Sequence, residues 1–161
     1  MVFGIIFFAL IFGVFGFGYV YNSRESKFAE AIAYYRQGDL VRALEIFKKF
    51  VLARPGDMRV RRYLADIYCE QGEYISSLKE CIGITVNKYS TFREKADAYA
   101  LMSQIYIIQE MFEKAAKIAI EGFKLDPKNA KIHYQLGRVY QVTEKMKPAI
   151  KEYNLVLSVD R

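Results

Sequence analysis

The sequence repeats itself, and this periodicity restricts more than any other feature what the chain can fold into. Four blocks superimpose, beginning at Arg24, Met58, Ala96 and Ala130, with steps of 34, 38 and 34 residues. The eleventh residue of each block is tyrosine: Tyr34, Tyr68, Tyr106 and Tyr140. The eighth residue is small, namely Ala31, Ala65, Ser103 and Gly137, and so is the twentieth, namely Ala43, Ser77, Ala115 and Ala149. Small residues at two such places let antiparallel helices approach closely, and this period is typical of stacked helical hairpins. The pattern predicts an all-α solenoid of four hairpins.

Proline and glycine mark the ends and turns of the blocks. The segments 53–57 (ARPGD) and 125–129 (LDPKN) place a proline after the second helix of a block, and Gly38 and Gly72 stand between the two helices. With the block pattern, these residues resemble the tetratricopeptide repeat (TPR) over nearly all of residues 24–161.

This resemblance implies eight helices in four hairpins, stacked as a right-handed superhelix. It makes residues 22–161 a TPR domain with repeats at 24–57, 58–95, 96–129 and 130–161. Three glutamates depart from the repeat pattern. Glu30 replaces a usual leucine, while Glu110 and Glu144 replace the glycine of the turn.

An uncharged segment, residues 1–21, precedes the repeats. About 20 helical residues span the roughly 30 Å hydrocarbon core of a bilayer, so the segment is predicted to be a transmembrane helix. All 24 Lys and Arg lie after it, beginning with Arg24 and Lys27, which we expect to lie near anionic headgroups. The positive-inside rule then places the N-terminus outside and the repeats in the cytoplasm. A cleaved secretory signal and a buried core helix are the alternatives, although the segment lacks a basic n-region.

The second block is four residues longer than the others, through residues 87–94. Either its second helix is longer by a turn or the next helix starts early. An N-terminal membrane helix followed by repeats with this extension resembles the N-terminal half of the lipopolysaccharide assembly protein B family. Residues 139–143 (VYQVT) and 147–150 (KPAI) are similar to that family's fourth repeat.

The resemblance to that family implies a single-pass protein of the bacterial inner membrane, with cytoplasmic repeats. It also implies a role in bringing a membrane-bound AAA protease to the deacetylase that commits lipid A synthesis. Members of that family continue into a rubredoxin-like domain with paired CxxC motifs that bind a metal, and the sequence to Arg161 contains no such motif.

The residues offer little chemistry for catalysis or metal binding. His133 is the single histidine and has no partner at triad-like or ligand-like spacing, so we interpret it as a packing residue. Cys69 and Cys81 are too far apart for a CxxC motif and are interpreted as small apolar residues. Neither a glycine-rich phosphate loop nor an apolar carboxylate pair is present. We therefore expect no enzyme, no cofactor and no metal site.

Binding is what stacked hairpins offer, because their first helices line a concave surface. The TPR resemblance implies which positions face this groove: Phe28, Ile32, Tyr35, Arg36, Arg59, Arg62, Asp66, Gln104, Ile108, Tyr134 and Arg138. This mixture of apolar and basic groups favours an apolar or acidic peptide segment of a protein partner over nucleic acid. The Lys-Asn-Asn-Lys-Arg clamp with which one subclass of the repeat holds a terminal carboxylate is absent in either register.

Two functions fit these patterns. One is a membrane-anchored adaptor or scaffold that holds cytoplasmic or membrane proteins, with regulation of lipopolysaccharide synthesis as the instance implied by resemblance. The other is an assembly factor or structural subunit of another membrane complex, of the photosystem or motility motor type.

The segment 148–159 is too apolar for one buried face, so we expect self-association, a partner or further repeats to cover it.

Overall fold

The computed structural model describes residues 25–159. All regular structure in this range is α-helical, and the described part of helix α1 covers residues 25 to 36. The other helices are α2 (Leu40–Ala53), α3 (Met58–Glu70), α4 (Tyr74–Val86), α5 (Phe92–Ile108), α6 (Phe112–Leu125), α7 (Ala130–Val142) and α8 (Met146–Val159). An all-α fold of eight helices is therefore confirmed for the described residues.

The chain divides into two compact units, Met1–Ala53 and Arg54–Arg161. The described part of the first unit contains α1 and α2, and that of the second contains α3 to α8. Within the second unit, α4 packs on α5 and α5 packs on α7, so the longer second block does not interrupt the packing of its hairpin on the next. The superhelix that the TPR resemblance implies for all four hairpins stays a prediction.

The two helices of each pair meet at the small residues that the sequence singles out. All eight residues at the eighth and twentieth positions are buried. In the second pair, Ser77 Oγ on α4 donates a hydrogen bond to the Ala65 carbonyl on α3 at 2.7 Å. In the third pair the roles reverse, and Ser103 Oγ on α5 donates to the Ala115 carbonyl on α6 at 3.0 Å. The small side chains thus let the backbone of one helix contact the side chain of the other directly.

The turns between paired helices all use a left-handed backbone conformation. Gly38 and Gly72 adopt φ angles of 79° and 76°, whereas Glu110 and Glu144 adopt 58° and 59° at the equivalent places. A residue with a Cβ atom in this region is strained by roughly 1–2 kcal/mol. The turn is therefore imposed by the packing of the helices, and the two glutamates tolerate it.

The four extra residues of the second block lengthen the helix that follows. Helix α5 has 17 residues, whereas α3 and α7 have 13 each. It begins at Phe92 because Thr91 and Glu94 form a capping box, with Thr91 Oγ1 accepting from the Glu94 N–H at 3.1 Å. Of the two alternatives left open by the sequence, the early start of the next helix is the one observed.

The core of the first unit is aromatic. The Phe28 ring lies edge-on to Phe47 and Phe50, with ring centroids 5.8 and 5.6 Å apart. Phe28 is only 8% exposed. Its assignment to a groove surface is therefore corrected: these contacts make it a core residue of the α1–α2 pair. Ala31 and Ala43 are fully buried in the same pair.

The predicted transmembrane helix at 1–21 and the basic residue Arg24 lie outside the described residues. Between residues 25 and 159, none of the helices is both long enough and apolar enough to cross a bilayer. Lys27, in the first turn of the described part of α1, is exposed.

The helix contact at Ala115 gives a test of the packing. Replacing Ala115, which is fully buried, with phenylalanine should lower the free energy of unfolding by about 1–3 kcal/mol or more, because the larger ring forces α5 and α6 apart. Lys117→Phe, on the exposed face of the same helix, is the control and should change it by less than about 0.5 kcal/mol. Denaturant unfolding of the full chain measures both, and equal effects would contradict the helix register.

The strained turn before α6 gives a second test. Glu110→Gly should raise the free energy of unfolding by about 0.5–1 kcal/mol, since glycine relieves the left-handed strain but loses some entropy on folding. Lys117→Gly, at an exposed position in the interior of α6, should instead lower it by about 1 kcal/mol. Thermal unfolding of the two variants distinguishes the sites, and a loss of stability in both would mean that the turn is not strained.

Candidate binding groove

A groove of about 640 Å³ opens along one face of the second unit. We call this cavity the groove. The first helices of the three pairs, α3, α5 and α7, supply its rim through residues spaced three, four or seven apart, which share a helix face. These rim residues include Arg59, Arg62, Asp66, Asp97, Gln104 and Lys131. Ile84 of α4 and Val156 of α8 add apolar surface from the second helices.

The groove contains five of the residues singled out for it: Arg59, Arg62, Asp66, Gln104 and Tyr134. Tyr134 is about half exposed, at 48%, and offers a ring to a bound partner. These residues come together because each occupies the same face of its helix as the corresponding residue one block away.

Two further candidates of the second unit, Ile108 and Arg138, do not line the groove. Ile108, which is 44% exposed, and Arg138, which donates a hydrogen bond to Gln135 Oε1 at 3.4 Å, lie nearer the C-terminal ends of α5 and α7. Ile32, Tyr35 and Arg36 belong to the first unit, as does the buried Phe28; Ile32 and Tyr35 are half-buried and Arg36 is exposed.

Several lining residues were not among the candidates, and most of them are apolar. Ala98 and Leu101 neighbour the chosen positions on α5, and Cys81 and Ile84 come from α4. The repeat pattern alone does not predict that Cys81 and Ile84 line the groove. They belong to a second helix, which reaches the groove only where the first helices of neighbouring pairs leave a gap. Glu94 lines the groove from the extra turn of α5, and its one signal in the sequence is the greater length of the second block.

Most charges around the groove are already engaged. Lys131 Nζ contacts Asp97 Oδ2 at 2.9 Å, and Asn129 Nδ2 donates to Asp97 Oδ1 at 2.7 Å. These bonds join α5 to the start of α7, where Asn129 also caps the helix. Arg59 forms an ion pair with Asp57 at 3.0 Å.

Asp66 differs from these residues. In the part of the chain that the structure describes, its carboxylate accepts no hydrogen bond and has no cation within 4.0 Å. Burial raises the pKa of Asp66 to about 6, an effect to which the charges of Glu70 and Asp97 add. The positive charges of Lys131 and Arg62 oppose it without cancelling it.

The cysteines and the histidine have structural roles. Cys69 and Cys81 are buried free thiols, and burial raises the pKa of both, which disfavours the reactive thiolate. His133 Nε2 donates to the Pro127 carbonyl at 2.9 Å, and Nδ1 lies 2.6 Å from Glu152 on α8. The contact between His133 and Glu152 thus links α7 to α8. Among residues 25–159, no cluster of three or more His, Cys, Asp or Glu is arranged to hold a metal ion.

The pKa of Asp66 predicts how stability depends on pH. The folded state holds the proton more tightly than the unfolded state, whose pKa is about 3.8, so this group lowers the free energy of unfolding as pH rises from about 3.8 to about 6. Asp66→Asn should remove this loss and stabilise the chain by about 1–3 kcal/mol at neutral pH, but not below the unfolded pKa.

Urea unfolding at several pH values measures this difference between Asp66→Asn and the unmodified chain. Glu113→Gln, an exposed carboxylate on α6, is the charge-matched control and should show no such pH-dependent gain. A variant less stable than the unmodified chain at neutral pH would show that Asp66 has a structural partner.

Comparisons with known proteins agree with this architecture. The family model described as tetratricopeptide repeat matches residues 96–129 and 130–161, which are the third and fourth blocks. No curated protein sequence matches the chain. Repeats of this family act as protein-interaction modules and not as enzymes, which agrees with the expectation of a non-catalytic protein.

Solved structures share the fold. MamA residues 41 to the end from Desulfovibrio magneticus RS-1 are 23% identical with a TM-score of 0.66, and the alignment covers 86% of this chain and 76% of that one. A thermophilic TPR protein in Thermus thermophilus is 17% identical with a TM-score of 0.68, covering 84% and 73%. At these identities the likeness shows the fold alone. Residues 96–161 therefore match two tetratricopeptide repeats, and the chain shares the helical-hairpin fold of MamA and other TPR proteins.

Proposed function

We propose that this protein is a membrane-anchored adaptor whose groove binds a segment of a partner protein. The observation that carries the proposal is the groove itself, a long concave surface on three packed helix pairs that is apolar along its floor and polar along its rim. Surfaces of this shape suit peptide segments, which present side chains in sequence to successive helices.

The anchor rests on the apolar segment 1–21 and on the distribution of charge after it. In this proposal the segment crosses the bacterial inner membrane once, with the N-terminus outside and the repeats in the cytoplasm. Lys27 and Arg24 then lie near the headgroups, where each basic residue contributes about 1 kcal/mol to membrane attraction. Regulation of lipopolysaccharide synthesis, through a membrane-bound protease and its substrate, is the specific instance that the resemblance in the second block favours.

Photocrosslinking in membranes tests the adaptor. A photoreactive amino acid at Gln104, inside the groove, should crosslink the full-length protein to a distinct partner. The same amino acid at Glu113, exposed on α6, should give no such product. Equal crosslinking at both positions, or none at Gln104, would reject the groove as the binding site. The mass of the crosslinked partner also separates the lipopolysaccharide instance from a subunit of another membrane complex.

The same readout tests the anchor. Deleting residues 1–21 should leave the repeats folded but abolish the Gln104 crosslink in cells, because the groove is no longer held beside the membrane. Substituting an unrelated single span of the same orientation should restore the crosslink. An undiminished crosslink from the deletion variant would refute the tether, whereas failure of the unrelated span would show that the native segment itself contacts a partner.

A further inference from the structure

The groove has balanced charge although the chain as a whole is basic. The chain carries a net charge of +6, yet three basic residues and three acidic residues line the groove. Two of the basic residues, Arg59 and Lys131, are held in ion pairs. The third, Arg62, lies against the Tyr63 ring, with its Cζ 5.2 Å from the ring centroid. The basic residues are therefore poorly placed to attract an acidic segment.

Two of the three acids are engaged as well. Asp97 accepts from Asn129 and Lys131. Glu94 Oε2 accepts from the N–H and the hydroxyl of Thr91 at 2.8 and 3.0 Å, as part of the cap of α5. Of the charged groups along the described groove, Asp66 is the acid left without a hydrogen bond or an ion pair.

Asp66 also has apolar neighbours in the wall. Ala65, Ala98 and Leu101 line the same cavity. Asp66 is half-buried. A carboxylate that is partly removed from water without a hydrogen bond costs free energy of folding, and groups of this kind in clefts are concentrated at binding and catalytic sites. Since the Asp66 carboxylate has no hydrogen-bond partner among the described residues, its hydrogen-bonding capacity is available to a ligand.

We propose that Asp66 receives the lysine or arginine side chain of an otherwise apolar partner segment bound in the groove. This inference rests on the proposed function and names the chemistry of the partner. The ammonium or guanidinium group supplies the hydrogen bonds that the carboxylate lacks, while the flanking apolar side chains of the segment cover Leu101 and its neighbours. Of the apolar or acidic segment expected from the sequence, this proposal keeps the apolar part and adds a single basic residue in place of acidic ones.

The size of the effect follows from the chemistry of the contact. A hydrogen bond to a charged group is worth about 1.5–3 kcal/mol, so loss of the basic side chain or of the carboxylate should weaken binding about 10- to 100-fold. Protonation of Asp66 should have the same effect. Affinity should therefore fall as pH drops through about 6, the pKa of the free carboxyl. The charged groups that act on Asp66 are Arg62 and Glu70 of its own helix α3, Asp97 of α5 and Lys131 of α7.

Selection from a random peptide library tests the proposal on the full-length chain solubilised in detergent. Peptides recovered on the unmodified chain should share one lysine or arginine flanked by apolar residues, and they should crosslink to a photoreactive group at Gln104. The recovered peptide and its variant with norleucine in place of the basic residue are then titrated against the unmodified chain, Asp66→Asn and Glu113→Gln. We expect the loss of affinity for Asp66→Asn and for the norleucine peptide, and an unchanged affinity for Glu113→Gln.

The outcomes separate this inference from the function on which it rests. Peptides that crosslink at Gln104 but lack a basic residue, or bind Asp66→Asn as tightly as the unmodified chain, overturn the inference and leave the binding groove standing. Selection of acidic peptides that crosslink at Gln104 also overturns the inference and leaves the binding groove standing. Peptides that bind without reaching Gln104 overturn both. Because Asp66→Asn is expected to be more stable than the unmodified chain at neutral pH, a loss of binding is not explained by unfolding, and circular dichroism of the variant checks this directly.

Discussion

The close contact between the two helices of each pair is the constraint on which the rest of this structure depends. It is possible only because the eighth and twentieth residues of every block are small. Where one of them is serine, its hydroxyl reaches the backbone of the facing helix, as Ser77 and Ser103 do. At Gly137 even a methyl group would be too large, since an added Cβ would lie 2.5 Å from the Tyr153 ring. Because the two helices of a pair lie so close together, the turn that joins them must be tight. The left-handed backbone conformation of Glu110 and Glu144 is a consequence of these tight turns.

Pairing of helices within a block also determines what lies between blocks. Within the second unit, once each pair is fixed, the groove-lining face of its first helix lies beside the equivalent face of the next first helix. Asp97 and Lys131, 34 residues apart, show this register directly, because they occupy the same position in neighbouring blocks and still form an ion pair. The groove along these three helices thus results from the repeat period. The residues that line it occupy equivalent positions in their blocks, but their side chains can differ in chemistry.

The sequence was informative where the period itself carries the signal. The small residues, the glycine turns and the number of helices in residues 25–159 all follow from a pattern repeated in four blocks. The sequence was less informative where a residue depends on several elements at once. Phe28 occupies a groove position by block numbering, yet Phe47 and Phe50 surround it. Asp66 is partly buried in a groove that residues of several helices line, so neither its block position nor its neighbours in sequence predict its raised pKa.

The net charge of the chain and the charge of the groove differ, for a physical reason. Repeated blocks place basic residues at many helix positions, but charges in a groove lie close to one another and pair internally, whereas those on exposed faces stay solvated. Because the charges that line the groove balance, the excess of positive charge resides on other parts of the chain. Among the acids that line the described groove, the carboxylate of Asp66 is the one without a hydrogen bond or an ion pair. The excess of positive charge and this open hydrogen-bonding capacity therefore belong to different residues.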